Sequence, residues 1–160
     1  MRLYLPATLP LLAQWLAAGQ ANPGMAGAVT PGLREWYREG DAEELEYAAQ
    51  RVAARMSLEM LAAEPGVPRR RVVLAVDVPD ADIALVDEPR GAVSVGAATP
   101  KASWASALVD DEEADVVISA AATALGGAAA GDEDASFAVD EADGTELSWY
   151  AVQELDDLLH

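Results

Sequence analysis

Asp77 closes an apolar run, Val72 to Val76, and is followed by the turn residues Pro79 and Asp80. A carboxylate at the end of a buried-type strand stands where a cleft can use it for acid–base work, and it is equally an ordinary turn former. A second concentration of chemistry is Leu33-Arg34-Glu35-Trp36-Tyr37-Arg38, with two arginines, two aromatics and a carboxylate in under two helical turns. Arg34 and Arg38, four apart, share a helix face. With Arg51, Arg55 and Arg69-Arg70-Arg71 they suggest a positive patch. Such a patch binds an anion, or it pairs with acids of the same chain or of a partner subunit. Internal pairing is the expected outcome. Trp36-Tyr37 and Trp149-Tyr150 read as core or interface aromatics. An enzyme built from these groups would rest on Arg34, Tyr37 and Asp77 and would need a pocket holding an arginine and an acid of perturbed pKa.

The familiar catalytic constellations are missing. There is no GxGxxG loop, no GxxxxGK[ST] loop and no GxSxG elbow. Lys101, the only lysine, lies in Thr99-Pro100-Lys101-Ala102-Ser103, which lacks the phosphate-cradling glycines. His160 is the only histidine and the last residue, so neither a Ser–His–Asp triad nor a multi-histidine metal site is available. The chain has no cysteine, hence no disulfide and no thiolate ligand, which fits a reducing cytoplasm. A calcium loop begun at Asp132 would need Gly at its sixth position and Glu at its twelfth; Phe137 and Asp143 stand there. No cofactor and no metal are expected.

Charge is distributed very unevenly. Residues 1–80 carry 8 basic against 10 acidic side chains, residues 81–160 only 2 against 18, for a net charge of −18. A polyanionic half repels phosphate, which excludes nucleic acid as a ligand and suits a basic protein partner. An acidic mimic of nucleic acid is a further alternative. Neither a signal peptide nor a run of membrane-spanning length is evident, so a cytoplasmic, membrane-free location is expected.

The elements that must position these groups follow from pattern. Arg2–Leu5 alternates as a short strand ended by Pro6. Thr8 caps a helix with a Leu9, Leu12, Leu16 stripe, stopped at Gly19. Ala26–Val29 is a weak strand. Thr30-Pro31 starts a helix reaching toward Gly40, and Asp41 caps a long one running to about Ala63, with Glu44 three residues on. That long helix is apolar on two faces. Leu45, Ala49, Val52, Met56, Met60 and Ala63 form one stripe; Tyr47, Ala54, Leu58 and Leu61 lie nearly opposite. The sheet covers one face. The short preceding helix or a second copy of the protein covers the other, which makes Tyr47, Leu58 and Leu61 interface candidates. Strands are predicted over Arg71–Val78, Ala92–Ala97, Trp104–Val109 and Leu147–Val152. Asp110 caps a further helix with Glu113, ended by Gly126-Gly127, and residues 128–136 read as a mobile acidic loop.

Several segments resemble an uncharacterised actinobacterial family of about this length: Arg2-x-Tyr4-Leu5-Pro6-Ala7-Thr8, Val29-Thr30-Pro31-x-Leu33-Arg34-Glu35-Trp36-Tyr37, Glu44-Leu45-Glu46-Tyr47-Ala48-Ala49, Asp77-Val78-Pro79-Asp80 and Trp149-Tyr150. The resemblance covers nearly the whole chain and implies a single-domain protein of unknown function, with no catalytic residue to transfer.

Together these readings predict one α+β domain over 1–160. Its sheet is mixed or antiparallel, of about four to six strands, with helices mainly on one face. The expected function is that of a non-enzymatic cytosolic binding or regulatory protein acting through protein–protein contacts, as a homodimer or with a basic partner. A small carboxylate–arginine enzyme is the alternative.

Overall fold

The computed structural model describes residues 1–160 and is α+β, built on an antiparallel sheet. Strands β1 (Arg2–Ala7), β2 (Gln20–Ala21), β3 (Met25–Ala28), β4 (Val72–Asp77), β5 (Ile83–Leu85), β6 (Ala92–Val95), β7 (Thr99–Pro100), β8 (Trp104–Val109) and β9 (Ser148–Ala151) occur in that order. Seven of them form the main sheet, in the order β5-β6-β3-β1-β4-β8-β9, while β2 and β7 pair separately. The sheet is wider than the four to six strands expected. The extra strands are short segments such as β5, whose three residues carry too little alternation to stand out.

β1 does not stop at Pro6. It pairs with β4 through Ala7, whereas β3 pairs only with Leu3 and Tyr4, so the ladder on the β3 side is over before Pro6 is reached.

Helices α1 (Leu9–Ala18), α2 (Pro31–Trp36), α3 (Ala42–Ala63), α4 (Asp115–Ala129), α5 (Glu133–Asp143) and α6 (Leu155–Leu159) complete the fold. The expected caps form at α1, α2 and α3: the Thr8, Thr30 and Asp41 side chains accept hydrogen bonds from the N–H groups of Leu11, Leu33 and Glu44. Gly19 closes α1 at φ 72°, where a side chain would be strained.

Two apolar layers sandwich the sheet. On one face Leu3, Leu5, Leu74 and Val76 pack with Leu12 and Trp15 of α1 and Leu155 of α6. On the other, Tyr4, Val73 and Ala75 meet the Ala48, Ala49, Ala53 face of α3. The small residues let α3 lie close to the sheet. Buried Ser57 then fastens the helix to it, donating to the Ala7 carbonyl at 2.7 Å and accepting from the Val72 N–H at 3.0 Å.

Neither of the two covers expected for the second face of α3 is the one found. Leu58 and Leu61 are fully buried against Ile118, Ala121 and Ala122 of α4 and Ala142 of α5, inside the same chain. They are core residues and not an interface. Only Tyr47 of the three interface candidates is exposed, at 42%.

Three other expectations are corrected in the same region. Asp110 does not cap a helix: a 3-10 turn, Glu112–Ala114, precedes α4, and the Asp110 carboxylate is buried in an ion pair with Arg71. Gly126-Gly127 does not end α4, which continues to Ala129; a Cβ on Gly127 would lie 3.1 Å from the Ala135 Cβ, so this glycine serves the close crossing of α5. Residues 128–136 are the end of α4, a tight turn and the first turn of α5, whose cap is Asp132 accepting from the Ala135 N–H at 3.1 Å.

Candidate functional site

α3 keeps one stripe uncovered between its two packed faces. Here a groove runs along the helix. α2 and the loop before β6 form one bank, and the C-terminal end of α5 forms the other. Leu33, Val52 and Met56 line it with apolar surface; Trp36, Tyr37, Arg51, Arg55, Arg90 and Asp143 supply the aromatic and charged walls. Arg51 also borders the two neighbouring hollows, one with Tyr37 and Glu44, the other with Tyr47, Arg71 and Glu146. It stands at the centre of a continuous concave surface.

Trp36 is 64% exposed, and the Arg90 guanidinium stacks on it, 4.0 Å from the ring centroid. Arg55 Nη2 donates to Asp143 Oδ2 at 2.8 Å, while its Nε is buried without a partner. The Tyr47 hydroxyl donates to Glu146 Oε1 at 2.9 Å; that hydrogen bond, reinforced by burial, raises its pKa.

The expected internal pairing of the arginines is only partly realised. Arg69 donates to the Leu61, Glu64 and Val67 carbonyls near the end of α3, and Arg70 to the Asp110 carbonyl. Arg2, Arg55 and Arg71 each hold a carboxylate. Arg34, Arg38, Arg51 and Arg90 hold none, although the chain offers 28 acids. All four are exposed: Arg34 on α2, Arg38 in the turn between α2 and α3, Arg51 on α3 and Arg90 in the loop before β6.

The three residues proposed for an enzyme are not joined. Asp77 is taken by Arg2 directly across the β1–β4 ladder, with Nε at 2.9 Å and Nη2 at 3.2 Å, and that pairing lowers the Asp77 pKa. No hydrogen bond or ion pair connects Asp77 with Arg34 or Tyr37. Tyr37 lines the groove, and Arg34 is exposed on α2. The residues that sequence reasoning missed are Arg90 and Asp143, brought in from β6's approach loop and from α5. Nothing local in the sequence marks either one, because their role arises only when distant elements meet.

Beside the groove, β1 presents Tyr4 to α3, and its hydroxyl donates to the Glu46 carboxylate. Burial, then this hydrogen bond, pushes the phenol pKa up to about 12. A raised value means that the neutral phenol is favoured in the folded state. Its stabilising contribution is therefore complete below pH 10, the unfolded value, and is lost as pH rises through about 12. Ultraviolet titration of phenolate absorbance should show one tyrosine ionising near pH 12, with that late step moving down in Tyr4→Phe-corrected difference spectra of Glu46→Gln. A Tyr4 ionising with the exposed phenols would contradict the contact.

No helix is long and apolar enough to cross a membrane. No curated protein and no solved structure matches the chain. A family match covers residues 1–159, and on it the chain belongs to DUF6912, a family of unknown function.

Proposed function

We propose that this protein is a non-enzymatic cytosolic binding protein that acts through protein–protein contacts at the groove along α3. One observation carries the reading: exposed Trp36, Tyr37 and Tyr47 share one concave surface with arginines that hold no carboxylate of their own. Tryptophan, tyrosine and arginine are the residue types that anchor interfaces, and an apolar floor with a charged wall is the layout of an interface core and rim. The groove has two carboxylates: Asp143, which is occupied by Arg55, and Glu59, which holds no arginine, so Arg55–Asp143 is the acid–arginine pair assembled there. Residues 81–160, with 18 acids against 2 bases, would suit a basic protein partner elsewhere on the surface.

Native mass spectrometry of the protein purified gently from its host tests this. The expected result is the chain mass plus a polypeptide, either a second copy or another protein, with that added mass lost in Trp36→Ala/Arg51→Glu. A small metabolite bound in place of any polypeptide would overturn the reading and favour the enzyme alternative.

A further inference from the structure

α5 carries a surface that complements the groove in chemistry, apolar at its centre and acidic around it. Phe137 is 66% exposed on it. Glu133, Asp134, Asp140 and Glu141 stand at i−4, i−3, i+3 and i+4 around the ring, and all four are exposed. At 100° per residue these carboxylates fall within about 60° of Phe137, so an aromatic knob is encircled by negative charge. Asp140 and Glu141 lie in the last turn of α5, where the helix dipole disfavours an anion and no basic residue relieves it. Neither makes an ion pair within the chain. Their placement costs the isolated molecule stability, and neither carboxylate gains an intramolecular hydrogen bond or ion pair from it.

The groove is the converse: an apolar floor of Leu33, Val52 and Met56 walled by Arg51 and Arg90, which hold no carboxylate, with Glu59 and the Arg55–Asp143 pair also on its walls and arginines outnumbering acids three to two. We infer that the groove of one copy receives the Phe137 face of α5 from a second copy, and that two such contacts close a symmetric dimer. The inference rests on the binding function proposed above and names the occupant of that site. Closure follows from placement. Asp143 at the end of α5 lines the groove, and Val139 and Asp140 line the hollow beside Arg55 and Glu59. Phe137 stands about 60° around the same helix from Asp140 and about 120° from Asp143, so knob and groove lie on adjoining faces, and a two-fold axis between those faces can satisfy both contacts at once. Two copies of charge −18 repel at long range, but at physiological ionic strength that repulsion is screened beyond about 8 Å while pairs in contact are screened much less.

Sedimentation equilibrium of the purified protein at physiological salt tests the inference. The wild type is expected to be a dimer at micromolar concentration, and Phe137→Ser and Arg51→Glu should each weaken it by about tenfold or more. Both positions are exposed, and circular dichroism confirms that each variant folds. Mixing the two variants should recover affinity, since one contact of the mixed pair is then intact and both lesions fall in the other, where they do not add. A wild-type monomer up to about 100 μM, a dimer indifferent to both substitutions, or an open ladder of higher oligomers would each overturn it. A recombinant monomer whose host-purified form carries a different polypeptide would overturn the dimer and leave the binding function standing.

Discussion

Replacing Asp110 by Ala is expected to destabilise the protein by about 3–5 kcal/mol, the usual cost of removing one partner of a buried ion pair. The Asp110 and Arg71 side chains are 0% and 3% exposed. The carboxylate accepts from Arg71 Nε and Nη2 at 2.8 Å each, and from the Arg71 backbone N–H at 2.8 Å. Arg71 Nη2 also donates to the Thr145 carbonyl at 3.0 Å. One carboxylate therefore ties the start of β4 to the end of β8, and through Arg71 to the turn that leads from α5 into β9. Without it a guanidinium stays buried with a single carbonyl for company, and the Arg71 N–H just before β4 loses its acceptor. Thermal unfolding should fall by roughly 6–20 °C for a chain of this size. The double variant Arg71→Met/Asp110→Leu should recover part of the loss, because the unpaired charge is gone, but not all of it, because the backbone N–H at position 71 remains unsatisfied. A loss below about 1 kcal/mol in the single variant would mean that water reaches the pair.

That ion pair also marks the limit of reading this chain by local pattern. Asp110 followed three residues on by Glu113 has the spacing of a capping box, and local rules assign it to the next helix. Its actual partner is 39 residues away in sequence, and only the β4–β8 register brings the two together. Where the determinants are local, the reading succeeds: the Thr8, Thr30 and Asp41 caps, the Val72–Val76 strand and the long α3 all follow from neighbours in sequence. α5 was legible in principle, since Asp132 is a good cap with acids in the first turn behind it, but the small and acidic composition resembles a loop.

The groove shows the same division. Trp36, Tyr37 and Arg51 stand out in the sequence by residue type, and the structure does place them on one surface. Leu58 and Leu61 stand out by helical phase, but phase reports only that a face is covered, not by what. The cover is α4, a helix that begins more than fifty residues later. Arg69-Arg70-Arg71 reads in the sequence as part of the patch, and in the fold it is consumed by backbone carbonyls and Asp110. What separates the free arginines from the structural ones is the fold's supply of acceptors, which a list of charges does not contain.

Gly27→Ala should be among the most damaging single-methyl additions available in this protein. Gly27 sits in β3, opposite Tyr4 of β1 and Ala92 of β6, and faces α3. A Cβ there would lie 2.3 Å from the Ala49 carbonyl oxygen and 3.2 Å from the Ala53 nitrogen. Both are backbone atoms of α3, so no side-chain rotation relieves the clash and the helix itself has to lift. Lifting it is resisted because Ala49 and Ala53 are fully buried and Ser57 is bonded to both β1 and β4. The expected loss is at or above the ~1–3 kcal/mol usual for overpacking, and larger again for Gly27→Val. Gly66→Ala is the matched control: nothing lies within 4 Å of its added carbon and its backbone is not left-handed, so it should change stability by less than about 1 kcal/mol. Urea midpoints of the two variants decide the matter. Equal midpoints would mean that α3 does not approach β3 this closely, and the groove on the outer side of α3 would then also sit differently from the geometry described.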